Sequence, residues 1–385
     1  MRGHASPGGP LRVLALTPYA EPAPSTRYRL VQMIRPLRGL GVELTLCPTV
    51  AATGYGAIRR GDAGALLAML RAGRTLASVY SLVRDYDAVL VQRGVSLVFD
   101  RSHLRRLRRS GVPLLFDFDD AVFLPQPGGN RWVERLRAPY ATTAALCRGA
   151  SAVLAGNAYL ADFARRVVGP GREDRVVVVP SAVDTEVFRP WPRERVLPAL
   201  GWVGSDSTLP YLESLAPALQ ELAKRVPHRL IVVAGSRAPQ LSGVHFEFVP
   251  WSAGGEAEVL GTLDVGLYPL DDTPWTRGKC GFKALQYLAC GIPCVASPVG
   301  VLRDMVQPGR TGLHAGGHAE WVEACARLLG DAPLRAYMGA QGRALVEERY
   351  SVARVAPLVA GAVAAVVGGL APMALRSVEG KVEEW

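Results

Sequence analysis

The feature that most constrains the fold is a repeated alternation of short apolar runs with segments at helical spacing. Leu11–Thr17 is an apolar run of about one strand, and Tyr28–Leu40 follows with apolar residues at helical spacing. Further strands are predicted, each after a helical segment, at Val42–Cys47, Asp87–Val91, Val112–Phe116, Val153–Ala155 and Val176–Val179. Apolar strands that alternate with helices are typical of a parallel sheet covered on both faces. The first half is therefore predicted to be an α/β doubly wound domain.

A second alternating series follows a proline-rich stretch that contains Pro190, Pro192 and Pro198. Its strands are predicted at Leu200–Val203, Arg229–Ala234, Val265–Tyr268 and Cys294–Ala296, with helices over Tyr211–Arg225 and Phe282–Cys290. Because prolines mark boundaries, we predict domains at 1–189 and 190–350, and a terminal helical segment at 351–385. Ligands of such sheets bind at the carboxyl ends of the strands, which here predicts a central cleft between two Rossmann-like domains.

Residues 355–375 contain no charged side chain and are long enough to span a bilayer. Their composition is mostly Ala, Gly and Val, and Pro357, Gly368, Gly369 and Pro372 interrupt them. Since hydropathy per residue is weak, a buried terminal helix is favoured over a transmembrane helix.

The charge of the chain is unevenly distributed. Residues 1–195 hold 28 Arg or Lys against 16 Asp or Glu, although the net charge of the whole chain is +10. A basic half favours either an anionic partner or a solvated, arginine-rich surface. Arg101–Arg109 has five arginines in nine residues and could rest on anionic lipid or form a solvated face. No aromatic-interleaved basic motif accompanies it, so nucleic acid is not an expected partner.

The six cysteines are scattered and form no Cys-x-x-Cys pair, and the six histidines are equally dispersed. This pattern predicts reduced thiols and no zinc site. The scattered thiols favour a cytoplasmic location. The basic half of the chain additionally suggests a peripheral position at the inner face of the membrane.

Residues 264–300 carry most of the chemistry of the sequence. Their pattern predicts a strand, a loop over 271–281, a helix and a second strand. The loop brings Arg277 and Lys279 to the start of the helix, and Lys283 lies in its first turn. A helix N-terminus offers unpaired amides and partial positive charge, which favour an anion.

Lys279, Lys283 and Gln286 would share one face if the helix begins early enough. That face suits a pyrophosphate beside a hydroxyl-bearing ribose. A surface helix with solvated lysines is the alternative.

The same segment resembles the donor-binding region of family 4 glycosyltransferases, retaining enzymes with the two-Rossmann GT-B fold. In that family a Glu-x7-Glu stretch precedes an Ala-x-x-Gly-x-Pro-Val turn. The Gly-Ile-Pro turn at 291–293 places the second glutamate position at Gln286 and the first at Gly278, so both glutamates are replaced. Gln286 can still hydrogen-bond a ribose, whereas Gly278 cannot replace a carboxylate. A subset of the family resembles this chain in having a Gly-Lys-Cys-Gly-Phe-Lys loop.

The resemblance covers about residues 11–350, and it implies that the helical segment at 351–385 crosses back to the N-terminal domain. Residues 200–205 resemble the glycine turn that opens the second domain, and 232–237 resemble the strand and loop that cover the base. Many members have an Arg and a Lys after the glycine turn, but here 205–208 read Ser-Asp-Ser-Thr, which leaves the cations of the later loop to hold the phosphates. The donor-binding residues that the resemblance implies are Gly204, Ser205, Gly235, Ser236, Arg237, Arg277, Lys279, Gly281, Phe282, Lys283 and Gln286.

The sequence of the first half assigns roles to its candidate site residues less clearly. Arg27, in the loop after the first strand, either meets a phosphate or starts the helix. Asp117, Asp119 and Asp120 follow an apolar strand and have three interpretations. They form a metal-binding Asp-x-Asp, they bind an acceptor hydroxyl through Asp119 or Asp120, or they cap a helix. The metal interpretation is disfavoured because the second half already accounts for the donor and GT-B enzymes act without metal.

The resemblance implies a retaining glycosyltransferase that moves a sugar from a nucleotide-sugar donor to an acceptor hydroxyl of a small molecule, glycan or lipid-linked glycan. In the mechanism proposed for such enzymes the departing diphosphate deprotonates the incoming hydroxyl. The predicted catalytic residues are therefore Lys279 and Lys283 at the leaving group, with Asp119 and Asp120 at the acceptor. The nucleoside-diphosphate sugar is a co-substrate, and no metal or other cofactor is expected. A non-catalytic GT-B nucleotide- or glycan-binding protein and an epimerase of the same fold are the alternatives.

Overall fold

The structure, a computed structural model, describes residues 9–20, 23–50, 64–94, 100–128, 134–135, 137–191, 196–235, 237–252 and 254–372. The chain divides into two compact units, each built on its own six-stranded parallel sheet. Unit 1 comprises Met1–Ser181, Gly278–Cys280 and Val355–Trp385, and unit 2 comprises Ala182–Arg277 and Gly281–Arg354. The prediction of two α/β doubly wound halves is confirmed.

The sheet of unit 1 has the strand order β2-β1-β3-β4-β5-β6. Its strands are β1 (Leu11–Tyr19), β2 (Val42–Val50), β3 (Ala88–Gln92), β4 (Leu114–Phe118), β5 (Ala152–Ala155) and β6 (Val176–Val178). Its helices are Pro24–Arg29, Ile34–Gly39, Gly64–Leu82, Asp100–Arg109, Pro139–Gly149 and Ala158–Val168, with 3₁₀ turns at Val31–Met33, Val83–Asp85 and Glu173–Arg175. The central strands are apolar along their length because helices cover both faces of the sheet.

The sheet of unit 2 has the order β12-β11-β10-β7-β8-β9. Its strands are β7 (Ala199–Val203), β8 (Arg229–Ala234), β9 (Glu247–Pro250), β10 (Val265–Tyr268), β11 (Cys294–Ala296) and β12 (Gly312–His314). Its helices are Leu209–Glu213, Ala216–Arg225, Glu256–Gly261, Pro274–Arg277, Phe282–Ala289, Leu302–Met305, His318–Gly330 and Ala332–Arg349, with a 3₁₀ turn at Asp206–Thr208. All strands run parallel, but the direction in which successive strands are added to the sheet reverses between β10 and β7, as it does between β1 and β3 in unit 1. Such switch points are where ligands bind.

Two predicted helices are interrupted by proline. The segment 28–40 forms parts of two short helices separated by a 3₁₀ turn, and 211–225 forms parts of two helices. Pro36 and Pro217 lie near the starts of the second helices. Each lacks the N–H that a continuous helix needs, and its ring clashes with the carbonyl one turn earlier. The sequence analysis did not predict the edge strands β9 and β12, because only Gly312 of their residues is buried and neither strand forms a buried apolar run.

The boundary between the units falls after Ser181, earlier than the predicted boundary at residue 190. The Val183 N–H donates to the Tyr350 carbonyl (2.9 Å), and the Val352 N–H donates to the Val183 carbonyl (3.1 Å). These bonds form a parallel bridge within unit 2, so the chain enters that unit before the prolines. Pro192 itself lies outside the described residues.

The terminal segment forms the helix Val352–Val367, which contains Pro357. Val355, Ala356 and Val363 are buried, in agreement with a buried terminal helix. Among the described residues, no helix combines the length and apolarity that a bilayer span requires. Residues 373–385 of the predicted terminal segment lie outside the described residues.

Candidate functional site

The switch point of unit 2 holds a lysine close to two aromatic rings. The Lys283 ammonium lies 4.4 Å from the centroid of the Trp202 ring on β7 and 5.5 Å from the centroid of the Tyr268 ring on β10. It also donates to the Thr208 hydroxyl at 3.1 Å. Cation–π attraction holds an ammonium over such rings. A positive charge therefore lies where a doubly wound sheet binds its ligand.

The helix Phe282–Ala289 places Lys283 there for local reasons. It begins after Gly281, whose φ of 68° is left-handed and suits glycine. The first N–H groups of a helix have no partner within it, so Lys283 adds a cation to an end that already favours anions. The helix is tied to β7 because the Val203 N–H donates to the Tyr287 hydroxyl at 2.9 Å.

Two glycines that the resemblance implied leave no room for a side chain. A Cβ on Gly204 would lie 2.6 Å from the Lys283 ammonium and 2.2 Å from the Trp202 ring. A Cβ on Gly235 would lie 2.6 Å from a carboxylate oxygen of Asp206. Both positions therefore depend on glycine for close approach, as phosphate-binding turns do.

Ser205 organises the turn after Gly204. Its N–H donates to the Thr208 hydroxyl at 3.2 Å, and its own hydroxyl lies 2.9 Å from that of Ser207. The turn thereby holds the Thr208 hydroxyl that accepts from Lys283. Of the four residues that replace the usual Arg and Lys of the family, Thr208 thus contributes a hydroxyl beside the lysine.

Other predicted donor-binding residues have protein partners. Arg277 forms a bidentate pair with Asp272, with Nε and Nη2 at 2.6 and 3.2 Å from its carboxylate oxygens. Hydrogen bonding to Arg277 lowers the pKa of Asp272. Arg237 lies 3.1 Å from Glu213. These pairs are half-exposed, and exposed pairs of this kind exchange partners at small cost.

Gln286 is buried, with 2% of its surface exposed. The structure thus places it in the core of unit 2, one turn after Lys283. Ser236 lies outside the described residues.

Lys279 is not part of the helix that carries Lys283. The helix begins at Phe282, so the condition for one shared face of Lys279, Lys283 and Gln286 is not met. Lys279 belongs to unit 1, where its ammonium lies 3.9 Å from the Asp120 carboxylate. Gly281 has a left-handed backbone conformation, which cannot lie within an α-helix. The helix therefore cannot extend back to Lys279.

Asp119 and Asp120, which follow β4, share one arginine that the sequence analysis did not single out. Arg93 Nε lies 2.6 Å from Asp119, and Arg93 Nη2 lies 2.6 Å from Asp120. Arg93 follows β3 with a φ of 59°, a left-handed conformation that is uncommon for residues other than glycine. Burial by itself would raise the pKa of Asp119, but Arg93 and Arg29 together lower it. Asp119 therefore remains ionised at neutral pH.

Asp117 is a core residue. It forms a buried, bidentate ion pair with Arg29, which also donates to the carbonyls of Val179 (2.9 Å) and Pro180 (3.0 Å). Among the described residues no group of three or more His, Cys, Asp or Glu side chains could hold a metal ion. Asp117 in β4 thus pairs with Arg29, whereas Asp119 and Asp120, which follow the strand, pair with Arg93.

A buried polar network occupies the end of β1 in unit 1. The Thr17 hydroxyl donates to Gln92 Oε1 at 2.8 Å, and Gln92 Nε2 donates to the Ser25 carbonyl at 2.8 Å. Arg27 lies over the Tyr28 ring, 4.4 Å from its centroid. The first turn of the helix Pro24–Arg29 is therefore held to β3 by the Gln92 side chain. Polar residues at the ends of strands β1 and β3 were the only sequence signal for this network.

The comparison with protein families places a known domain over the Lys283 site. Residues 198–331 match the family model described as "Glycosyl transferases group 1". This range contains β7 to β12 and the helix Phe282–Ala289. The resemblance to glycosyltransferases is therefore confirmed for the central part of unit 2.

Curated relatives match part of the chain. The D-inositol 3-phosphate glycosyltransferase of Stackebrandtia nassauensis is 34% identical over 199 residues, which are 43% of this chain and 44% of that protein. The protein of the same name from Mycobacterium marinum is 30% identical over 210 residues, 47% of this chain and 42% of that protein. The match thus spans less than half the length of either relative.

Solved structures match nearly the whole chain. Sucrose-phosphate synthase from Thermosynechococcus elongatus has a TM-score of 0.70 at 15% identity and covers 94% of this chain and 100% of that one. HepE of Anabaena, in complex with UDP and glucose, has a TM-score of 0.65 at 14% identity and covers 92% and 99%. At these identities the likeness concerns the fold, and the GT-B prediction is confirmed.

Proposed function

We propose that the protein is a family 4 glycosyltransferase that moves a sugar from a nucleoside-diphosphate sugar to an acceptor hydroxyl. The position of Lys283 carries the proposal. Its ammonium lies at the switch point of unit 2 and at the start of a helix, inside the residues that match the glycosyltransferase model. A diphosphate is the ligand that a helix N-terminus with an adjacent lysine suits best.

The proposed chemistry requires stabilisation of the leaving diphosphate. As the glycosidic bond to the donor breaks, negative charge grows on the phosphate oxygen, and Lys283 with the first amides of its helix stabilises it. In the retaining reaction, the departing diphosphate takes the proton from the acceptor hydroxyl on the same face of the sugar. Cations are already available for the diphosphate, so we expect turnover without added metal.

Ligand binding tests the donor assignment first. UDP, GDP and ADP are titrated against the full chain, with and without EDTA, while the unfolding temperature is recorded. A ligand that binds only the folded state at ~100 times its Kd adds roughly 2.7 kcal/mol of stability. We expect one diphosphate to stabilise the wild type in both conditions. Lys283→Ala should weaken its binding at least tenfold. Lys224→Ala, the same change at an exposed lysine of the helix Ala216–Arg225, should leave binding unchanged.

Turnover tests the reaction itself. The sugar nucleotides of the selected base are incubated with D-inositol 3-phosphate, because relatives carry that name, and with methyl hexosides as further acceptors. Release of the diphosphate and the configuration of the product report transfer and retention. Binding without transfer to any acceptor would favour the alternative of a non-catalytic nucleotide-binding protein. That alternative is considered because both glutamates of the family motif are replaced.

The proposed cytoplasmic location includes a peripheral contact with anionic membranes. The helix Asp100–Arg109 exposes Arg101, Arg105 and Arg109, while Leu104 and Leu107 are buried in unit 1. With its leucines buried, the helix offers charge without an apolar stripe, so such a contact would be electrostatic and sensitive to salt. Sedimentation with phosphatidylserine vesicles at low and high salt, against phosphatidylcholine vesicles, tests it.

A further inference from the structure

Three residues from the middle of the unit 2 sequence, Gly278–Cys280, belong to unit 1. Asn157, which follows β5, donates from Nδ2 to the Gly278 carbonyl at 3.2 Å and to the Lys279 carbonyl at 3.1 Å. It also lies 3.7 Å from the Cys280 sulfur. One buried amide therefore contacts all three residues of the segment.

The packing around Gly278–Cys280 leaves no room for a side chain at Gly156 or at Gly278. A Cβ on Gly156 would lie 2.4 Å from the Cys280 sulfur. A Cβ on Gly278 would lie 2.7 Å from the Ala121 Cβ and 2.8 Å from its backbone nitrogen. The segment thus fits tightly between the ends of β4 and β5, and the glycine at the first glutamate position of the family is required by this packing.

The side chain of Lys279 extends from this segment to the acidic residues after β4. Its ammonium lies 3.9 Å from Asp120, whose other carboxylate oxygen binds Arg93, and Arg93 in turn binds Asp119. All four side chains are between 13% and 25% exposed, so they are partly accessible. Two cations and two carboxylates alternate here, an arrangement that can both donate to and accept from vicinal hydroxyls.

We infer that Asn157 is a positioning residue that seats Gly278–Cys280 in unit 1 and thereby holds Lys279 beside Asp120, where Lys279 serves the acceptor and not the donor diphosphate. The inference rests on the proposed function and revises one residue of it. Lys283 holds the diphosphate, and Lys279, with Arg93, Asp119 and Asp120, binds a polyhydroxylated acceptor.

Asn157 has a second role that allows a sharp test. Its Oδ1 accepts from the Leu160 N–H at 2.9 Å and caps the helix Ala158–Val168. Aspartate caps a helix as well as asparagine does, and it has nearly the same shape. Asn157→Asp therefore retains the cap but replaces the donating amide by an oxygen that repels both carbonyls. Asp331→Asn is the matched control, because Asp331 caps the helix Ala332–Arg349 by the same bond to Leu334.

The reactivity of the Cys280 thiol shows, without any ligand, whether Gly278–Cys280 stays bound in unit 1. It is buried, and burial together with the charge of Asp119 raises its pKa well above the ordinary value, so alkylation of the native protein is slow. We expect Asn157→Asp to accelerate iodoacetamide labelling of Cys280 at least tenfold, measured by peptide mass spectrometry. Labelling of Cys294 and Cys325 in unit 2 should be unchanged, as should all labelling in Asp331→Asn.

The diphosphate Kd and the acceptor KM distinguish the role of Lys279 from that of Lys283. Lys279→Met and Asn157→Asp should leave the Kd of the diphosphate selected among UDP, GDP and ADP within twofold of wild type. Both should raise the KM of the acceptor that the wild type uses at least tenfold, with the donor KM unchanged. A merely structural role of Asn157 would lower the active fraction and leave both KM values unchanged.

Two results would overturn the inference. One is a loss of diphosphate affinity in Lys279→Met as large as that in Lys283→Ala, which would return Lys279 to the donor. The other is a Cys280 thiol that stays protected in Asn157→Asp. If the wild type binds none of the three diphosphates, the proposed function fails, while the thiol measurement still decides whether Asn157 seats the segment.

Discussion

The ammonium of Lys283 lies 4.4 Å from the centre of the Trp202 ring, and Trp202 itself is almost completely buried. The lysine therefore has a fixed support, provided by β7, and its charge is directed toward the glycine turn that ends that strand. A mobile surface lysine would lose about 2 kcal/mol of side-chain freedom on binding a phosphate. Part of that cost is removed here before any ligand arrives.

Replacement of Gly204 should weaken diphosphate binding. In Gly204→Ala the new Cβ would meet the Lys283 ammonium at 2.6 Å, and the rigid Trp202 ring leaves it no space. Displacement of the ammonium should raise the Kd about tenfold, or about 1.4 kcal/mol. Titration calorimetry with the selected diphosphate measures it. Gly330→Ala is the control, because nothing lies near a Cβ there. Wild-type affinity in Gly204→Ala would exclude the turn from the site.

Arg343 should be essential for the stability of unit 2. Its guanidinium donates to the carbonyls of Phe188 (2.7 Å), Ala289 (2.8 Å) and Thr185 (3.0 Å), and it is only 18% exposed. Arg343→Ala would leave these carbonyls without their donor and should cost about 3 kcal/mol in the free energy of unfolding.

Urea unfolding measures this loss. Arg343→Lys should recover only part of it, because a single ammonium cannot reproduce the fork of a guanidinium. Arg327→Ala, at an exposed arginine of the helix His318–Gly330, should change stability by less than about 0.5 kcal/mol. Equal stability of Arg343→Ala and Arg327→Ala would contradict the assignment.

The Asp117–Arg29 pair should contribute to folding and not to donor binding. Both side chains are 4% exposed, so Asp117→Asn leaves a buried guanidinium without its counter-charge and should cost about 3–5 kcal/mol. Thermal unfolding of unit 1 measures the loss. Asp162→Asn, which breaks an exposed pair with Arg165, should cost less than about 1 kcal/mol. An unaltered unfolding temperature in Asp117→Asn would show that the pair is dispensable.

The protein should lose stability above about pH 9. Burial raises the pKa of Cys147 and of Cys325 from 9.0 to about 12. A folded-state pKa that is raised means that the native thiol keeps its proton while the unfolded thiol loses it. The stabilisation is therefore complete below pH 9 and falls by up to about 1.4 kcal/mol per pH unit for each thiol until about pH 12.

Chemical denaturation at pH 8, 9.5 and 10.5 checks this slope. Cys147→Ala and Cys325→Ala should each make it shallower, and the double variant should do so additively, because the thiols lie in different units. An unchanged slope in the double variant would assign alkaline instability to other groups.

Much of the fold was predictable from local pattern. The strands β8, β10 and β11 occur at the predicted bounds, because buried apolar runs between turn residues specify them. The helix after the cation-rich loop ends one residue before its predicted end, where Gly291 and Pro293 stop it. The position of Lys283 in the first turn of this helix was also predictable, since it depends on no distant partner.

What the sequence alone determined is therefore the two α/β halves, the helix that bears Lys283 and the glycine turns beside it. Only the tertiary structure decided the partners of the charged residues. Arg93 and Asp119 come together because β3 and β4 are neighbours in the sheet, and Lys279 belongs to unit 1, where its carbonyl accepts from Asn157. The hydrophobic period along the chain indicates which face of a helix or strand is buried. An ion pair depends instead on which strand ends are neighbours in the sheet, and the local sequence does not specify that order.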